Sequence, residues 1–137
     1  PPGPDGRRRG RPGPAVTRDV VALLPAAPEV ADVAAALRAA GERFGVRPAA
    51  EGSVVQLCDD QGRPLVSIEV PVLVRVPGEV ERLLGAEVAG RLPPPPLWWV
   101  ETRAPSARDG AERLGRRFAE TLAARCGGIV WPAEGRR

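Results

Sequence analysis

Histidine, methionine, tyrosine, lysine and asparagine are all missing from this 137-residue chain, and every one of its 20 basic residues is arginine. Without histidine there is no Ser-His-Asp or Cys-His catalysis and no ordinary zinc site. The two cysteines, Cys58 and Cys126, have neither metal-ligand spacing nor a histidine partner, and they read as reduced thiols in preference to a disulfide. Phosphate-cradling loops are missing as well: "GERFG" at 41–45 fits neither G-x-G-x-x-G nor the P-loop. These absences leave no expected catalytic residue, no metal site and no cofactor, and the chain reads as a non-enzyme. No apolar run reaches the roughly 20 residues of a membrane span. No apolar stretch follows the charged start in the manner of a signal peptide. The expectation is no membrane span and a cytoplasmic protein.

The arginine bias itself is compositional. Arg, Ala, Gly, Pro and Val use GC-rich codons, and a GC-rich genome accounts for their excess. With no initiator methionine, the chain also reads as processed or as a piece of a longer protein.

The net charge of +3 misleads about where the charge lies. Arg7, Arg8, Arg9 and Arg11 oppose only Asp5 in residues 1–14, whereas residues 15–137 hold 16 arginines and 16 acids. The first 14 residues contain only Pro, Gly, Arg and one Asp, so nothing there can be buried to offset the entropy of ordering. They read as a disordered leader, followed by a single domain over 15–132 and a short tail at 133–137. Nucleic-acid binding, which needs a basic field on a folded face, is not expected beyond weak contact through the leader.

From residue 15 onward the patterning is that of an α+β domain. "AVTRDVVALLP" predicts a strand over 16–24, stopped by Pro25. Pro28 and Glu29 suit the first turn of a helix. Val30, Val33, Ala34, Leu37 and Phe44 recur on one helical face, and Gly41 or Gly45 ends it. Val54–Cys58 predicts a strand, and "DDQG" at 59–62 a turn. Asp59 and Asp60 read as turn chemistry, not as a cation site. Then Val66, Ile68, Val70, Val72, Val74 and Val76 fill every even position, which puts them on one face of a sheet, against helices. Ser67, Glu69, Pro71, Leu73 and Arg75 are then on the other face. Pro71 cannot donate to a ladder, so it marks an edge, a bend or a bulge, in one long strand or between two.

"PGEVERLLG" predicts a short helix closed by Gly85, and "AEVAGRLPPPP" a loop ending in an extended proline run. "LWWVETRAP" predicts a strand. Ser106 with Asp109 is a capping signature for a helix over 107–125, with Ala111, Leu114, Phe118, Thr121 and Leu122 on its apolar face. Gly127 and Gly128 stop it, and "IVWP" at 129–132 predicts a last short strand. The expected architecture is a short, mainly antiparallel sheet with two long helices on one face, a ferredoxin-like variant.

The adjacent Trp98 and Trp99 must point to opposite faces of their strand. Trp98 shares its parity with Val100, Thr102 and Ala104, so it is expected to be the buried one. Trp99 shares its parity with Leu97, Glu101 and Arg103 and falls on the open face. An exposed tryptophan marks a binding surface. The alternative is that Trp99 packs under the proline loop or against Pro71 and Leu73. Glu69 and Glu101 on that face are expected to pair with Arg75 and Arg103 across strands.

The segments "VVQLCDDQGRPLVSIEVPVLVRVPGEVERLLG", "WWVETRA" and "GGIVWP" resemble the opening portion of an uncharacterised actinobacterial family encountered beside type VII secretion genes. The resemblance spans 15–132. It implies an accessory role near that secretion system and a longer parent protein, and it transfers no functional residue. Taken together, these readings point to a protein-interaction domain using Trp99, Leu73, Arg103 and Glu101, with a protein partner and room for a homodimer. The alternative is a small-ligand-sensing regulatory domain with its site at a dimer or helix–sheet crevice.

Overall fold

The computed structural model describes residues 17–41, 44–105 and 110–133. The proline–arginine leader, the end of the tail and the capping signature at Ser106 and Asp109 lie outside them.

The described strands form one antiparallel sheet of seven. Its centre is β1 (Thr17–Leu24), an eight-residue run of mostly β-branched and aliphatic residues. On one side β1 pairs with β6 (Leu97–Pro105), on the other with β7 (Ile129–Trp131). Beyond β6 come β4 (Pro64–Glu69), β3 (Val54–Cys58) and β2 (Gly45–Ala49). The short β5 (Val72–Val74) pairs with the first part of β6, along the same edge that β4 occupies further on.

Two helices cover one face. α1 (Val30–Ala40) starts at a reciprocal cap, in which the Glu29 backbone N–H donates to Asp32 Oδ2 at 2.9 Å. α3 (Ala111–Cys126) ends at Gly127, whose φ of 74° is left-handed, and the Gly128 N–H donates back to the Ala123 carbonyl at 2.9 Å. α3 lies along β1, β6 and β4, while α1 packs chiefly on α3. Val20, Ala22, Leu24, Val66, Ile68 and Val100 from the sheet meet Ala36, Phe118, Ala119 and Leu122 from the helices in the main core. Thr102 is the one buried polar side chain among the described residues, and its hydroxyl donates to the Val20 carbonyl at 3.1 Å.

The expected wholly open reverse face is not what the structure has. α2 (Glu79–Leu84) and a 3₁₀ segment (Ala86–Arg91) fold onto it. Val80 and Val88 pack there against Val21, Leu23, Leu97 and Trp131, and make a second core. The stretch read as a loop before the prolines is this 3₁₀ segment, and Val88 is fully buried in it. Beyond this second core the reverse face stays polar, with Glu69 of β4 and Glu101 and Arg103 of β6 on it.

The even-position rule also breaks, at Pro71. Ile68 lies opposite Thr102, yet Val72 lies opposite Trp99. Four steps on one strand match three on the other, so one residue is extra and the parity inverts. Val66 and Ile68 face the helices as expected. Val72 and Val74 face the second core side with Trp99 and Leu97, and Leu73 lies across from Trp98. A single inserted residue is a β-bulge, one of the roles open to Pro71.

Smaller departures have local causes. Val30 is 88 % exposed because it is the first residue of α1, and the inward stripe is Val33, Ala36, Leu37 and Ala40. β2 has no counterpart among the expected strands. It is an exposed edge strand with Pro48 in it, so no apolar alternation announces it.

Candidate functional site

The sheet edge at β5 and the reverse face beside it form an open, largely apolar feature. A groove of about 610 Å³ runs between β5, the start of α2 and the Trp99–Glu101 stretch of β6. Its wall is aliphatic: Val72 is 52 % exposed, Val76 63 % and Leu83 50 %. β5 itself has a single strand partner, β6, so its outer edge keeps unpaired backbone groups.

Three of the four residues expected to form an interaction surface stand in a row on this face. Trp99 is half-buried, packed against the second core, and its Nε1 donates to Glu101 Oε1 at 3.2 Å. Arg103 Nε donates to Glu101 Oε2 at 3.2 Å, and its other end reaches Glu69 at 3.5 Å. The two carboxylates, Glu101 first, raise the guanidinium's pKa above its ordinary value. The cross-strand pairing expected for these charges is present between Glu69 and Arg103, while Glu101 pairs with Arg103 along its own strand. Leu73 does not join the row: the bulge turns it to the helix side, and it borders the groove only as part of β5. Trp98 is half-buried against the main core, so both indoles are anchored and neither stands free.

Val72, Val76 and Leu83 were not singled out from sequence as surface residues. The first two belonged to the even-numbered apolar set, and only the extra residue at the bulge could have marked them as turned outward. Glu79 lies in the groove wall as well, where Arg82 holds it in a two-point ion pair, with Nη2 at 2.5 Å and Nε at 3.1 Å. That hydrogen bond holds the Glu79 carboxyl below its usual value.

Elsewhere the described residues offer little chemistry. Both cysteines are free: Cys58 is buried, and Cys126 is half-buried at the end of α3. Burial and the nearby Asp32 carboxylate raise the Cys126 thiol above its ordinary pKa, which disfavours the nucleophilic thiolate. Asp59 accepts backbone N–H bonds from Gln61 and Arg63, both at 2.9 Å, as a turn residue does. No group of three or more acids or cysteines suited to a metal ion occurs among the described residues. No described helix is long and apolar enough to cross a membrane. Comparison with protein-family models, with curated proteins and with solved structures found no match to this chain.

Proposed function

We propose that the chain is a non-catalytic protein-interaction domain that takes an extended segment of a partner protein along the outer edge of β5. The observation that carries this is the coincidence of a free strand edge with exposed Val72, Val76 and Leu83. A peptide laid on such an edge gains main-chain hydrogen bonds, and every second side chain drops into the flanking groove. Trp99 forms the groove floor as a rigid apolar surface, held by its bond to Glu101. Glu79 and Glu101 are matched by Arg82 and Arg103, so exposed Arg75 is the cation available to an acidic residue of the partner. The partner segment is therefore extended, aliphatic at alternate positions and mildly acidic.

The test is a selection of displayed random peptides on the full chain, followed by titration of the selected peptide. Val72→Lys and Leu83→Lys are expected to weaken binding at least about tenfold, or ~1.4 kcal/mol, with the melting temperature nearly unchanged. Equal affinity in both variants would overturn the reading. Concentration-dependent dimers broken by the same substitutions would assign the edge to a second copy of the chain instead.

A ferredoxin-like variant of the architecture is part of this reading. It is supported by the central order β7–β1–β6–β4, in which β1 and β4 are both antiparallel to the strand between them. The accessory role beside a type VII secretion system has the sequence resemblance as its support, and a cytoplasmic setting fits the two free thiols.

A further inference from the structure

We infer that a second, separate binding site lies on the helix side of the sheet, an apolar pocket that takes a small uncharged molecule about the size of a benzene ring. The pocket follows from the bulge. Val70 stays with β3, its N–H donating to the Ser53 carbonyl at 3.1 Å, while β5 two residues later follows β6. The two paths part at Pro71, and Val100 on β6 loses the close neighbour that a regular strand would place beside it. α1 does not fill the gap from above, because it leans on α3 and not down onto the strands. What remains is a cavity of about 150 Å³. Val33 and Leu37 of α1, Phe118 and Leu122 of α3, and Val55 and Val100 of the sheet line it, with Val70 and Pro71 at the mouth.

The chemistry of the lining selects the occupant. Glu69 is the only ionisable residue at its border, and its carboxylate is turned to Arg103, 3.5 Å away on the reverse side. A charged or strongly hydrogen-bonding ligand would be stripped of water there and given no partner. An apolar pocket of about this volume, lined by aliphatic and aromatic side chains, has room for a molecule of the size of benzene. A molecule that binds this pocket in the folded chain and not in the unfolded one raises stability, so occupancy is read as a thermal shift. The site is on the opposite face from the β5 groove and does not depend on the partner proposed for that groove.

Benzene is the probe, added to the full chain at rising concentration up to its solubility. It is expected to raise the melting temperature by a few degrees and to move the methyl resonances of Val33, Leu37, Val55 and Val100. The methyls of Val74, Val80 and Val88, in the second core, are expected to stay in place. Val33→Phe puts a ring into the cavity and is expected to abolish both responses. Should that variant fail to fold, Val55→Ile, which fills less of the space, is expected to weaken benzene binding several-fold. Unmoved methyls at Val33 and Val55 near saturation would overturn the inference, as would equal benzene responses in the wild-type and filled proteins.

Discussion

Gly128 occupies a position where no side chain fits. A methyl group there would fall inside the van der Waals shell of the Leu23 carbonyl oxygen, 3.0 Å from the carbonyl carbon and 2.9 Å from Leu24 Cδ2. Two of those three atoms are backbone of the central strand, so they cannot swing aside. Gly128→Ala is expected to cost roughly 1–3 kcal/mol or more, read by chemical denaturation. Gly90→Ala, with no atom within 4 Å of the added methyl, serves as the control and is expected to stay within about 0.5 kcal/mol. Asp32 makes a different residue-scale case. Its carboxylate accepts the Glu29 backbone N–H at 2.9 Å and Arg125 Nε at 3.0 Å, tying the start of α1 to the end of α3. The backbone bond first, then Arg125, hold its pKa below the usual aspartate value. A depressed folded-state pKa contributes stability that is present above the unfolded-state pKa and is lost as pH falls through the folded one. The difference in melting temperature between wild type and Asp32→Asn is therefore expected to shrink between about pH 6 and about pH 3. A difference that stays constant over that range would exclude the carboxylate as its source.

At the scale of elements the bulge at Val70–Pro71 organises the reverse face. Deleting Pro71 would restore a regular ladder between β4 and β6 and return Val72 and Val74 to the helix side. Val74 would then leave the second core and Leu73 would enter it in the wrong place. The deletion is expected to destabilise the whole chain severely, whereas Pro71→Ala, which keeps the residue count, is expected to cost under about 1 kcal/mol. Denaturant midpoints of the two variants compare them directly. This element also shows what sequence can and cannot convey. Strict alternation made Val66 and Ile68 legible as core, and the same alternation, carried past the proline, assigned Val72 and Val74 to the wrong face. Period-2 reasoning has no term for an inserted residue, although Pro71 did mark the place. The strand with Trp98 and Trp99, the closing glycines and the helix at 111–126 were legible because each carries a local signal. β2 carried none, since both its faces meet solvent. In the candidate site, Trp99, Glu101 and Arg103 were legible through their shared parity. Leu73 was misassigned by the bulge, and Leu83 depends on where α2 docks, which no local pattern encodes.

For the whole molecule the decisive fact is that one sheet serves two cores. Val20, Ala22 and Leu24 of β1 look into the main core, and Val21 and Leu23 of the same strand look into the second. Unpairing β1 exposes both sets at once, so the main core cannot be lost with the second retained. The second core should therefore melt with the first, even though its cover is only a short helix and a 3₁₀ turn. With Trp98 of the main core replaced by Phe, the remaining Trp131 and Trp99 report on the second core, while far-UV circular dichroism is dominated by α1 and α3 on the opposite side. Thermal unfolding followed by the two signals is expected to give coincident transitions, the mark of a two-state domain. Leu97→Ala, which truncates a fully enclosed side chain in the second core, is expected to cost about 2–5 kcal/mol and to lower both transitions together. An earlier fluorescence transition with the circular dichroism transition unmoved would show that α2 and the 3₁₀ segment are a separable cover, and that the β5 groove beneath them opens independently of the sheet.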